Sequence, residues 1–199
     1  MSKPVIVQSD KTLLVEVDNP QFENARNAIS PFSELEKSPE HIHTYRITPL
    51  SLWNAAASGL DADSIISSLL KYSKYDIPDT VYTTIKEQMQ RYGLLKLVMS
   101  GDELILTSSD PTLINEILYN KKLQNYIIER KSENTLTVKK IFRGHIKQAL
   151  IKIGFPVEDL AGYEDGDPCS INIRKPENPG TGLEFRDYQL SAVDAFHQG

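Results

Sequence analysis

The chain has 199 residues, enough for one large domain or two small ones, with 40% hydrophobic and 25% charged residues and a net charge of −5. That balance supports buried cores and excludes a chain disordered throughout. The single cysteine, Cys169, excludes a disulfide framework or a thiolate metal cluster, and no apolar run approaches the roughly 18 residues needed to cross a bilayer. The first residues carry no long apolar leader core, so an intracellular protein is expected, without membrane partners.

Residues 5–7 and 13–17 are apolar runs on either side of the polar stretch 9–12 and predict a β-hairpin. Pro20 opens a short helix in which Phe22, Ala25 and Ile29 share a face, and Pro31 interrupts it. Residues 41–47 alternate enough to form a strand. Thr48 and Pro49 start a helix: the threonine caps it, and the proline occupies the first turn, where its missing N–H costs nothing. Leu50, Trp53, Asn54 and Ala57 continue it, and Gly59 stops it. Trp53 is expected in the core rather than on a base-stacking platform.

Asp61 caps the next helix, expected to bury Ile65, Ile66, Leu69 and Leu70. Pro78 and Asp79 start another, with Val81, Ile85, Met89 and Tyr92 in line and Gly93 just past its end. Residues 94–99 and 103–107 flank Ser100, Gly101 and Asp102 as a second hairpin. Helix, helix, hairpin is the outline of a winged-helix-like unit at about 61–107. Its second helix sets Lys86 and Arg91 against Asp79 and Glu87. That is not the positive face a groove-reading helix needs, so a scaffold or protein-docking role is expected ahead of direct DNA binding. Asp110 and Pro111 open a further short helix through Leu113, Ile117 and Leu118.

Residues 123–129 and 135–138 flank a polar turn at 131–134 and suggest a third hairpin. A helix at about 140–153 follows, with Phe142, Ile146, Ala149, Leu150 and Ile153 at helical spacing. A last strand is expected at 170–173, and the Pro/Gly-rich stretch 176–182 reads as a linker. Beyond it, Phe185, Leu190, Val193 and Phe196 give an amphipathic helix with little to stabilise it alone. The expected fold class is α+β, in four parts. These are an N-terminal domain at 1–119, a small α/β domain at 120–175, the linker at 176–182, and the start of a further domain at 183–199.

The charge is segregated. Residues 121–152 carry a net +7, while 1–120 and 153–199 each carry −6. Local charge sets the field a polyanion meets, so the middle segment is the candidate DNA surface. Lys139, Arg143 and Lys147 lie four apart along one helix face, with Lys121, Lys122, Arg130 and Lys131 as secondary phosphate contacts. The competing reading is a solvated helix face with lysines for solubility. Arg186 and Gln189, three apart at the head of the last helix, can turn a guanidinium and a carboxamide toward a flat heterocycle such as adenine. From these two residues alone, ordinary polar positions on a terminal helix are the favoured reading.

No G-x-x-x-x-G-K-[ST] occurs, so nothing in the chain cradles a triphosphate and magnesium. His41 and His43 lack a third ligand nearby in sequence, and the acidic turn at Glu164, Asp165 and Asp167 lacks the spacing of a calcium loop. There is no nucleophile elbow, and no catalytic or metal-binding residue is expected.

Several blocks resemble, in collinear order, the XPB family of superfamily 2 DNA helicases in its bacterial form. They are residues 43–56 (HTYRITPLSLWNAA), 70–78 (LKYSKYDIP), 91–98 (RYGLLKLV), 152–163 (KIGFPVEDLAGY) and 185–189 (FRDYQ). The resemblance implies an N-terminal domain, then a damage-recognition-like domain over residues 121–173, then an Arg-x-x-Gln entry into a RecA-like lobe at Arg186 and Gln189. It implies a parent that uses ATP and magnesium to move 3′ to 5′ on DNA in nucleotide excision repair, in the cytoplasm and at the nucleoid. The chain would end before the Walker A motif and hold neither cofactor nor ATPase activity. DNA, as duplex or fork, is the implied partner. The rival reading is a non-enzymatic adaptor that docks a nuclease or another repair protein.

Overall fold

The computed structural model describes residues 2–162 and 186–198. The strand expected at 170–173, the acidic turn at 164–167 and the linker at 176–182 lie outside the described residues. Residues 1–162 form one compact unit, and 163–199 belong to a second.

Among the described residues the strands form two sheets. The first joins β1 (Val5–Val7), β2 (Thr12–Glu16), β3 (Glu34–Lys37) and β4 (Ile42–Arg46) in the order β1-β2-β4-β3, antiparallel throughout. The register sets Val5 opposite Val15 and Leu13 opposite Tyr45, so these residues form a buried apolar patch on one face of the sheet. The helix α1 (Phe22–Ile29) lays Phe22, Ala25 and Ile29 on that face, as the spacing predicts. Pro31 ends α1 in a short 3₁₀ turn, Ser30–Phe32. The strand β3 is absent from the sequence reading. Its residues ELEK are all exposed and carry no apolar signal; it is an edge strand recruited by pairing with β4.

Three helices close this first core. The helix α2 (Pro49–Ala57) begins with a reciprocal capping box. The Ser51 N–H donates to Thr48 Oγ1, and the Thr48 N–H donates to Ser51 Oγ, each at 3.0 Å. Gly59, at φ 87°, turns the chain out of it in the left-handed region that glycine tolerates. The helix α3 (Ala62–Tyr72) is capped by Asp61, whose Oδ1 accepts from the Ser64 N–H at 2.7 Å. It buries Ile65, Ile66, Leu69 and Tyr72. Leu70, expected in the core, is 46% exposed, because a residue adjacent to Leu69 points about 100° away and Tyr72 completes the stripe instead. The helix α4 (Asp79–Arg91) buries Val81 and Ile85 against the same core. Trp53 sits 5% exposed, with its indole N–H donating to the Gln88 carbonyl at 3.0 Å, which is the packing role expected.

The second sheet joins β5 (Leu95–Ser100), β6 (Glu103–Ser108), β7 (Ile127–Ser132), β8 (Thr135–Val138) and β9 (Val157–Asp159) in the order β7-β8-β6-β5-β9. The helices α5 (Pro111–Tyr119) and α6 (Arg143–Lys152) cover one face, where Leu95, Leu97, Leu104, Leu106, Leu136 and Val138 meet Ile114, Ile117, Ile146 and Leu150. This arrangement corrects the sequence reading. The hairpin β5–β6, expected as the wing of α3 and α4, is the middle of this sheet, and β6 pairs with β8 across the boundary expected at 119/120. The apolar faces of α3 and α4 are already buried in the first core, so the four leucines of the hairpin find cover only downstream. The change of core falls between α4 and β5. The parallel strand β9 is likewise absent from the sequence reading: three residues give no periodicity to read.

Arg91 ties the two layers together. Its Nη1 donates to the Gly154 carbonyl at 3.1 Å, and its guanidinium stands 5.6 Å over the Phe155 ring.

In the second unit, α7 (Asp187–Gln198) leaves Tyr188, Leu190, Val193 and Phe196 between 44% and 84% exposed.

A chain cut after Tyr119 would leave β6 as an open edge and take from Leu97 and Leu106 the cover that β8 and α6 supply, leaving α5 alone. Residues 1–119 should therefore show no protected β6 amides in hydrogen exchange, while residues 1–162 should protect them and melt cooperatively. Protected β6 amides in the shorter chain would assign the hairpin to the first core instead.

Candidate nucleic-acid interface

The basic segment is built on three pieces of the second layer: the turn between α5 and β7, the hairpin β7–β8, and α6 with the 3₁₀ turn Lys140–Phe142 that precedes it. The structure separates the seven expected contacts into distinct environments.

Arg143 and Lys147, one helical turn apart on α6, converge on Asp159. Arg143 makes a bidentate contact, Nε to Oδ2 at 3.0 Å and Nη2 to Oδ1 at 2.7 Å, and Lys147 Nζ reaches Oδ2 at 2.7 Å. Arg143 Nη1 also donates to the Gly162 carbonyl at 2.5 Å. The Asp159 side chain is only 12% exposed, against 25% for Arg143 and 33% for Lys147. The register explains the meeting. Val157 and Asp159 lie opposite Leu95 and Leu97 and so face the helix layer, while Glu158 points to the other face, where it meets Lys96 Nζ at 3.3 Å. Burial pushes the Asp159 carboxyl up, but the hydrogen bonds from Arg143 and Lys147 outweigh it and hold the group below the ordinary carboxylate range. Two of the three cations read as a stripe thus serve to neutralise a carboxylate of their own chain.

Lys139, the third, is exposed beside them. Its ammonium donates to the Asn125 carbonyl at 2.9 Å and stands 5.9 Å from the centre of the Phe142 ring. Tyr126, Phe142 and His145 stack edge to face at 5.6 and 5.7 Å, forming a small aromatic base under this turn. Lys121 and Lys122 are exposed on the connection that leads to Tyr126, where the Lys122 N–H is held by Asn120 Oδ1 at 3.0 Å. The Lys139 N–H donates to the Tyr126 carbonyl at 2.9 Å, which fixes this connection to the start of the 3₁₀ turn.

Arg130 and Lys131 sit at the opposite end of β8, by the hairpin turn. Arg130 folds back onto the carbonyls of Ser132 and Glu133 at 2.9 and 3.1 Å, and Lys131 pairs with Glu103. Three residues that matter here are not singled out by the sequence: Lys140, which pairs with the exposed Asp102; Ile141; and Asp159. The signal for Asp159 is present in the two cations at i and i+4, followed within a short loop by a lone Glu-Asp pair.

In the second unit, Gln189 Oε1 accepts from the Arg186 backbone N–H at 3.0 Å, closing half of a capping box at the head of α7. The Arg186 side chain is exposed. Elsewhere, His41 Nδ1 meets Asp18 at 3.0 Å, and His43 packs edge-on to Phe22. Among the described residues no three metal-ligating side chains gather, and no helix is long and apolar enough to cross a membrane.

Comparison with known proteins gives the class. A family model described as "Helicase conserved C-terminal domain" matches residues 5–132. The "DNA 3'-5' helicase XPB" of Mycobacterium tuberculosis is 47% identical over 197 residues, covering 98% of this chain and 35% of that protein. The protein of the same name from Kineococcus radiotolerans is 45% identical over 98% of this chain and 34% of its own length. The "General transcription and DNA repair factor IIH helicase/translocase subunit XPB" of Enterocytozoon bieneusi is 31% identical over 86% of this chain. The chain belongs to the XPB family of superfamily 2 helicases, in its bacterial form. It spans about a third of the length of the two bacterial relatives.

Asp159→Asn should destabilise the 1–162 unit by roughly 1.5–3 kcal/mol, the range for hydrogen bonds to charged groups. Because the folded pKa is depressed, the clamp contributes fully above the unfolded carboxylate value of about 3.9 and is lost as pH falls through Asp159's own lower value. Denaturant midpoints measured across the acid range should therefore converge for wild type and Asp159→Asn at low pH. A constant gap down to the acid limit would show that the variant acts through packing.

Proposed function

We propose that this chain is the accessory, DNA-positioning region of an ATP-dependent 3′–5′ DNA helicase or translocase acting in DNA repair. One observation carries the reading: 47% identity along 98% of the chain to a protein named for 3′–5′ DNA helicase activity. The motor chemistry belongs to other parts of such a parent. Without a phosphate loop this chain has no electrostatic clamp for a transferring phosphoryl group, so it hydrolyses no ATP alone. ATP and magnesium are cofactors of the parent.

Within this reading the layer built on β5–β9 faces DNA, and α2 to α4 serve as its scaffold. Lys121, Lys122 and Lys139, exposed around the Tyr126 turn, make the phosphate contacts. Arg143 and Lys147 add less to the field, because Asp159 compensates part of their charge. Arg130 and Lys131 are outlying contacts at the hairpin tip. In the parent, Gln189 offers its carboxamide to the adenine edge and Arg186 braces that side of the pocket.

Binding of short duplexes by the 199-residue chain should be non-specific, in the range of about 10⁻⁴–10⁻⁶ M, and steeply salt-dependent. Replacing Lys121, Lys122 and Lys139 with alanine should reduce the slope of log K against log salt by about 0.9 for each phosphate that is no longer neutralised. Asp159→Asn, which removes one anion beside Arg143 and Lys147, should instead tighten binding at low salt. Fluorescence anisotropy reads both. An unchanged slope in the triple variant would remove this surface and leave the lysines a solubility role.

In the parent, Gln189→Ala should raise KM for ATP more than for GTP in a steady-state ATPase assay. Equal changes for both nucleotides would assign Gln189 to capping α7 alone.

A further inference from the structure

Ile141 is 82% exposed, in the middle of the 3₁₀ turn Lys140–Phe142 and between the buried Val138 and Ile146. A single exposed apolar side chain carries no message by itself; the setting of this one does. The turn is braced from both sides. The Phe142 N–H donates to the Lys139 carbonyl at 3.0 Å, and the Lys139 N–H donates to the Tyr126 carbonyl at 2.9 Å. The Phe142 ring is wedged between Tyr126 and His145. An aliphatic tip is therefore held out from a fixed aromatic base, directly after two exposed lysines, Lys139 and Lys140.

Those lysines have only light local partners. Lys139 holds the Asn125 carbonyl, and Lys140 pairs with Asp102, whose side chain is fully exposed. Exposed pairs of this kind are worth little and exchange readily for phosphate.

We propose that Ile141 is a wedge that enters between adjacent base pairs of a bound duplex while Lys139 and Lys140 hold the flanking phosphates. Proteins that kink DNA use this combination, an apolar side chain set beside cations on a rigid element. The proposal deepens the DNA-positioning reading above and rests on it. The favoured substrate is duplex with flexible pyrimidine–purine steps, which unstack more cheaply than stiff A-tracts.

The test uses the 199-residue chain and duplexes carrying 2-aminopurine, which brightens on unstacking, beside a central TA step or within an A-tract. Wild type should brighten the TA duplex on binding, and the A-tract duplex less. Ile141→Ala, a change at an exposed site, should keep its melting temperature. It should bind within about threefold of wild type, since removing the insertion also removes the unstacking cost, and the brightening should be abolished. Ile141→Phe should retain it. Brightening by Ile141→Ala equal to wild type, with Lys139→Glu still weakening affinity, would overturn the wedge and leave the DNA reading intact. No binding of either duplex by wild type, measured by anisotropy at low salt, would overturn both.

Discussion

Leu95, Leu97, Leu104 and Leu106 have to leave water together, and the second half of the fold follows from that requirement. All four are no more than 1% exposed. A two-stranded hairpin cannot bury its own apolar face, and a lone hairpin is at best marginally stable in water. The helices just upstream have turned their stripes to the first sheet, so cover comes from Leu123, Leu136, Val138, Ile146 and Leu150, all downstream. Pairing β6 with β8 and β5 with β9 then closes both edges of the hairpin at once. The basic segment is thereby laid over a rigid sheet, which fixes where its charges point.

The same closure decides which of those charges meet solvent. Bringing β9 alongside β5 turns Asp159 inward, and a carboxylate in that position needs cations to stay ionised. Arg143 and Lys147 supply them from α6, with the planar guanidinium taking both oxygens and the ammonium one. Net charge along the sequence therefore overstates the positive field of α6. It represents the Tyr126 turn better, where the nearest partners are carbonyl oxygens and aromatic rings, which leave the charge intact.

Local signals are legible wherever the chain decides its own conformation. The Thr48 cap, the Asp61 cap, the turn at Gly93 and the periodicity of α1, α4 and, apart from Leu70, α3 need no distant partner and follow from residue type and spacing. The family is legible for a different reason: its blocks run in order along the chain. What cannot be read depends on partners far apart in sequence. The strand β3 has an ordinary polar sequence and exists because β4 offers an edge. The strand β9 exists because β5 does, some sixty residues earlier. The misplaced boundary has the same origin. Charge changes sign near residue 121, but burial changes partner between α4 and β5, and the hydrophobic core sets the layers. Sequence spacing puts Arg143 and Lys147 on one face correctly and cannot show that Asp159 waits there.

At the head of α7 a helix cap engages the pair of residues proposed above for nucleotide recognition. A helix leaves its first N–H groups without partners, and here the Gln189 carboxamide oxygen takes one of them, from Arg186. The carboxamide nitrogen keeps both donors and the oxygen a second lone pair, so the cap uses one of the group's four hydrogen-bonding positions. An adenine edge offers both a donor and an acceptor. Reading it with Gln189 requires the oxygen to leave the Arg186 N–H or to share it. If Gln189 reads adenine as proposed, the cap takes one acceptor position of the oxygen and leaves the other open to the base.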